Sequence, residues 1–152
     1  MERIMHLKPI FLAAYLLLFI HPAYANDHDN FNKSRFLEGY IHAWNQHAPD
    51  AAVASFSDDA KYYNSIIKET RNAKEAIYDV ITGASIISAD FHIEIIGNPV
   101  LSDHSLAFEW LVKGLPPLSD QQQREIRGMS IVRFINNKVV YIADYYHDSP
   151  QK

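Results

Sequence analysis

Cysteine is missing from all 152 residues of this chain. That excludes disulfides and a lipid-modified N-terminal cysteine, and it leaves packing to stabilise the fold. Glycine is scarce, at five residues, and none of the five belongs to a phosphate-binding loop or a Rossmann turn, so nothing specifies an organic cofactor. Positive charge is neither abundant nor clustered: 14 Lys and Arg stand against 18 Asp and Glu, for a formal charge of −4. The acidic balance and the lack of an arginine-rich stripe argue against a nucleic-acid partner and against binding to a membrane surface. The longest apolar run, Ile10 to Ile20, is eleven residues. As a helix it would rise only about 16 Å, roughly half a bilayer core.

That run has a different use. Arg3 and Lys8 precede it, and Ala23-Tyr-Ala25 follows it with small residues two apart. This three-part pattern predicts a secretory signal peptide over residues 1–25, cleaved after Ala25, and an exported protein, periplasmic or secreted, with no membrane attachment afterwards. Loss of Glu2, Arg3 and Lys8 takes the formal charge from −4 to −5 and leaves residues 26–152 as one ordinary domain.

What the chain does have is aromatic side chains and a clear change of period. Leu37, Tyr40, Ile41 and Trp44 recur at helical spacing and give one apolar face carrying two large side chains with polar tips. Ala48-Pro-Asp50 breaks that helix before a short second one ending near Phe56, and Asp58-Asp59 leads into a strand from Ala60 to Asn64. A third helix is expected from Asn72, with Glu75 completing an Asn-x-x-Glu cap, a buried face of Ala76, Ile77, Val80 and Ile81, and a stop at Gly83. From Asp90 the period becomes two, and Gly97-Asn-Pro99 is read as the end of that strand. Strands follow over 106–113, 125–135 and 139–146, the last two joined by a tight hairpin at Asn136-Asn137. Gly114 to Gln123 is read as an exposed connection near a cavity mouth.

The stretch Phe36-Leu-Glu-Gly-Tyr-Ile-His-Ala-Trp44 through Lys61-Tyr-Tyr-Asn64, with the tail from Arg127 to Asp148, resembles the NTF2-like superfamily, and within it the SnoaL-like proteins related to ketosteroid isomerase and polyketide cyclases. The resemblance implies an α+β domain, a cone-shaped half barrel in which a curved antiparallel sheet packs over three N-terminal helices, and a homodimer formed through the exposed side of that sheet. If the sheet closes in this way, alternation turns Tyr62 and Asn64, Gly128, Ser130 and Val132, and Ile142, Asp144 and Tyr146 toward one cavity.

Steroid isomerases of the superfamily place a carboxylate base at the end of the first strand and stabilise an enolate with a tyrosine and a protonated carboxylic acid. Here only the tyrosine is retained, as Tyr40. Asn64 stands at the base position and Ser130 at the second donor. A different carboxylate, Asp144, falls where SnoaL-like cyclases carry an acid/base aspartate, although the usual histidine neighbour is replaced by Ser130. Asp144 is therefore the candidate acid/base, with Tyr40, Asn64 and Ser130 polarising a substrate oxygen and Trp44, Tyr62, Val132, Ile142 and Tyr146 lining the ligand site. The alternative is that Asp144 caps a turn or pairs with an arginine on the next strand, and that the aromatic set fills a core.

Three functions stay open: an isomerase or cyclase acting on a carbonyl compound, a carrier of a small apolar molecule, and an interaction module. Glu109 and Arg127 are read as a cross-strand ion pair. The eight histidines show no two-ligand spacing. Cleavage after Ala25 would leave Asn26-Asp27-His28 as the N-terminus, where His28, the amine and two amide nitrogens can enclose Cu(II) or Ni(II) in a square plane.

Overall fold

The computed structural model describes residues 32–117 and 124–147, except for the side chain of His147. The expected signal peptide, the His28 site and most of the 114–123 connection lie outside the described residues.

Two helices open the domain, α1 (Lys33–Asn45) and α2 (Pro49–Val53). Asn32 caps α1 by accepting from the Arg35 amide, and the apolar stripe buries Phe36, Leu37, Tyr40, Ala43 and Trp44. Strand β1 (Phe56–Asn64) follows directly, so the second helix is shorter and the strand longer than expected. After β2 (Glu69–Asn72), a polar strand too short to show a period, comes α3 (Ala73–Ile87). Asn72 accepts from the Glu75 amide, as the cap motif implies. Gly83 does not stop this helix. A side chain there would meet open space, the apolar stripe continues to Ala84, and the end comes at Ser88.

The remaining chain is β3 (His92–Leu101), β4 (Ser105–Leu115), β5 (Arg124–Ile135) and β6 (Lys138–His147). Gly97-Asn-Pro99 does not end β3. Gly97, at φ 68°, makes a bulge at which the register against β4 shifts, and the strand resumes at Val100. Asn136 and Asn137, at φ 48° and 62°, form the tight hairpin.

The six strands form one curved, unclosed sheet in the order β2-β1-β6-β5-β4-β3. It departs from a fully antiparallel sheet at one place, since β1 lies parallel to β6. That pairing sets the first strand beside the last, which no local pattern reveals. Two cross-strand rows define the inner face: Asn64, Asp144, Ser130 and Phe108 are successive partners across β1, β6, β5 and β4, and Tyr146, Gly128 and Trp110 form the next row. The helices pack on the face that carries both rows.

Helix α1 is tied to the edge strand β3 by Asn45, whose side chain receives the Ile93 amide at 2.7 Å and donates to the Ile93 carbonyl at 2.9 Å. His47 Nε2 adds a contact to the Phe91 carbonyl at 3.1 Å. On the opposite face of the sheet, Arg127 and Glu109 make the expected ion pair at 2.8 Å, exposed to solvent.

Candidate functional site

Between α1, α3 and the sheet lies a cavity of about 170 Å³. Its lining is aromatic and aliphatic apart from the tips of three tyrosines, Ser130 and Asp144. Of the residues singled out in the sequence, Tyr40, Trp44, Tyr62, Ser130, Asp144 and Tyr146 meet here. Val132 and Ile142 are completely buried in the core beneath and take no part in the lining. Asn64 is also buried and stands behind the wall.

Asp144 is held by donors. Ser130 Oγ donates to Asp144 Oδ1 at 2.6 Å, and the Tyr62 hydroxyl hydrogen-bonds to the same carboxyl. No ion pair reaches it among the described residues. Burial penalises its charged form and outweighs these two hydrogen bonds, which favour that form, so the carboxyl is pushed up from its ordinary 3.8 to about 6. The arginine-pairing alternative finds no support in these contacts. What remains is a buried carboxylate facing a cavity.

Three of the hydroxyls around it, those of Ser130, Tyr62 and Tyr146, have their oxygens occupied by groups that can only donate. The Trp110 indole N–H gives to Ser130 Oγ at 2.8 Å. The Asn64 amide gives one hydrogen to Tyr62 Oη at 3.1 Å and the other to Tyr146 Oη at 3.0 Å, while its own oxygen takes the Ile66 amide at 2.9 Å. Since indole and amide N–H groups cannot accept, they set the direction of the network. The Ser130 and Tyr62 protons turn to Asp144, and the Tyr146 proton is left for whatever occupies the cavity. Asn64 therefore orders two tyrosines instead of touching a ligand oxygen directly, and Ser130 spends its proton on Asp144.

Tyr40 completes the ring. Burial, and after it the charge of Asp144, raise its pKa well above the ordinary tyrosine value, and the Trp44 indole works in the opposite direction. Trp44 Nε1 is nevertheless a buried donor that makes no hydrogen bond among the described residues. Tyr62 is raised by the same two causes as Tyr40 and stays neutral.

Trp110 is the residue the sequence reading missed. It lies on the inner face of β4 with Phe108, and its ring leans on Tyr146 at a centroid distance of 5.6 Å. Gly128 makes this possible: a Cβ there would come within 2.5 Å of the indole and 2.7 Å of Tyr146 Cβ. The available signal was the period-two run Leu106, Phe108, Trp110, Val112, all buried. Among the described residues, no cluster of three or more His, Asp or Glu side chains could hold a metal.

The family model of the SnoaL-like domain matches residues 37–142. The chain belongs to the SnoaL-like family. Its NTF2-like fold is shared with AclR from Streptomyces galilaeus, at 15% identity and a TM-score of 0.66 over 78% of this chain and 80% of that one. A protein with a ketosteroid isomerase-like fold from Catenulispora acidiphila, solved in complex with trimethylamine, is similar at 17% identity and a TM-score of 0.64, over 76% and 87% of the two chains. An NTF2-like protein from Burkholderia xenovorans gives 18% identity and a TM-score of 0.58 over 78% and 85%. No functionally curated protein matches. At such identities the likeness concerns the fold, one that accommodates isomerase, cyclase and ligand-binding roles.

Proposed function

We propose that this SnoaL-like protein takes a small, largely apolar carbonyl compound into its cavity and moves a proton on it, with Asp144 as the acid/base. The observation that carries this reading is the buried carboxyl with a pKa of about 6, lining an apolar cavity and lacking a cationic partner among the described residues. A base of that pKa is mostly ionised at neutral pH and still returns its proton readily. Ionised Asp144 takes a proton from the carbon next to the carbonyl, the C–H electron pair moves into an enolate, and the same carboxyl reprotonates carbon. Tyr146, whose oxygen is already occupied by Asn64, and Tyr40 offer their O–H groups to the developing oxyanion. The carboxylate stands directly across the β1–β6 ladder from Asn64, so the base has changed strands relative to the steroid isomerases while facing the same space.

Cavity size points to one ring in place of four: about 170 Å³ is close to the roughly 150 Å³ of an engineered cavity that holds benzene. Deuterium exchange into the α-carbons of cyclohexanone in D₂O tests the assignment. The native protein is expected to accelerate exchange saturably, and Asp144→Asn to lose at least 100-fold while keeping its cooperative unfolding. Saturable ketone binding without exchange would favour the carrier reading, which needs only the apolar walls and the hydroxyl tips.

We also propose that the protein is exported with residues 1–25 removed and that it pairs through the outer face of its sheet, where Met129 and Tyr145 are exposed. An intact mass beginning at Asn26 supports the first of these.

A further inference from the structure

We propose that the same cavity is a receptor for small methylated ammonium ions, with ionised Asp144 as counter-charge and the aromatic walls as the surface that meets the methyl groups. This goes beyond the carbonyl reading and does not depend on it.

The starting point is an imbalance of charge. Asp144 is the one charged side chain among the described residues lining the cavity, and neither its partners nor the lining includes a lysine, arginine or histidine. The other titratable groups facing it are tyrosines: Tyr40 on α1, Tyr62 on β1 and Tyr146 on β6. Tyr40 and Tyr62 are kept neutral by burial. β4 and β5 contribute Phe108, Trp110 and Ser130 at this point, and α3 contributes Val80 and Ala84, none of them charged. A buried carboxylate with no cation nearby is costly, and a cation entering the cavity offsets that cost.

The walls select which cation. Trp44 and Phe91 come together at 6.1 Å on the side of α1 and β3, and Trp110 and Tyr146 at 5.6 Å on the sheet. Aromatic faces attract cations, most of all those that shed their hydration easily, and methylation of an ammonium group does this by spreading its charge over methyl surface. A primary ammonium would arrive more strongly hydrated and find too few acceptors. The volume, about 170 Å³, suits a tetrahedral group of four small carbon substituents.

Two consequences separate this from simple apolar binding. Affinity should follow the ionisation of Asp144, and occupancy should inhibit any proton transfer in the same cavity. The probe pair is choline and 3,3-dimethylbutan-1-ol, its neutral carbon analogue, titrated into the mature protein at constant ionic strength and followed by tryptophan fluorescence. Choline is expected to bind at least tenfold more tightly than the alcohol at pH 7.5, to lose about tenfold on going to pH 5, and to lose its advantage in Asp144→Asn. A second variant, Trp44→Leu, keeps the charge and removes an indole, and is expected to weaken choline at least threefold while leaving the alcohol nearly unchanged. Equal binding of the two probes, a preference that survives Asp144→Asn, or no saturable binding of choline would overturn the proposal. Choline binding without cyclohexanone exchange would leave this inference standing and remove the carbonyl reading, and the reverse pattern would do the opposite.

Discussion

Asp144 concentrates the cost of this site in one side chain. Its folded pKa of about 6 lies above the ordinary 3.8, so between those values the folded protein holds a proton that the unfolded chain releases. By linkage, the contribution of Asp144 to stability is most favourable below about pH 4, falls as pH rises through about 6, and above that amounts to a penalty of about 3 kcal/mol. Asp144→Asn has no such term. Denaturant unfolding of both proteins from pH 7 to pH 4 should therefore show the native protein gaining about 2 kcal/mol relative to the variant as pH falls. A difference independent of pH would mean that folding does not shift the pKa of this carboxyl. Much of this residue-level picture was legible from the resemblance to the NTF2-like fold together with strand alternation, which turns Asn64, Ser130 and Asp144 to the same face. The roles within it were not. That Asn64 spends both amide hydrogens on Tyr62 and Tyr146, or that Trp110 fixes Ser130, depends on the register of strands far apart in sequence.

At the level of elements, α1, which forms one wall of the cavity, is pinned at its C-terminal end. Asn45 behaves as a short strand for Ile93, offering one acceptor and one donor, and so holds Trp44 beside Phe91. Asn45→Ala leaves a partly buried amide and carbonyl short of partners and is expected to cost about 1–3 kcal/mol. Hydrogen exchange should show the loss in α1 and β3 before it appears in β5 and β6; uniform loss across the sheet would contradict a local pin. Helix periodicity identified the lid, and the Asn72 cap identified the start of α3. The end of α3 was misread at Gly83 because glycine stops a helix only where the chain must turn, and here the apolar stripe runs on to Ala84. β2 and the parallel β1–β6 pairing left no local trace: one is four polar residues, the other a contact between the two ends of the domain.

For the whole molecule, the outer face of the sheet is the surface left to explain. Tyr63 and Tyr145 contact each other there at 5.8 Å, Arg133 lies over Tyr141 at 5.1 Å, and Met129 is exposed directly opposite Tyr145 in the register. A face of this kind suits a two-fold interface, in which each residue meets its own copy or a neighbour's. Sedimentation of the protein is expected to show a dimer and Tyr145→Asp a monomer of unchanged cavity. A native monomer would contradict the pairing.

The acid/base reading and the cation site meet in one property, a single carboxyl in an apolar cavity whose pKa is raised to about 6. The most direct measurement is a ¹³C NMR titration of the Asp144 carboxyl, assigned by its absence from Asp144→Asn. The structure calls for a midpoint near 6, moving downward when choline is bound. A midpoint near 4, unmoved by choline, would mean a solvated carboxylate, and neither the acid/base role nor the cation site would stand.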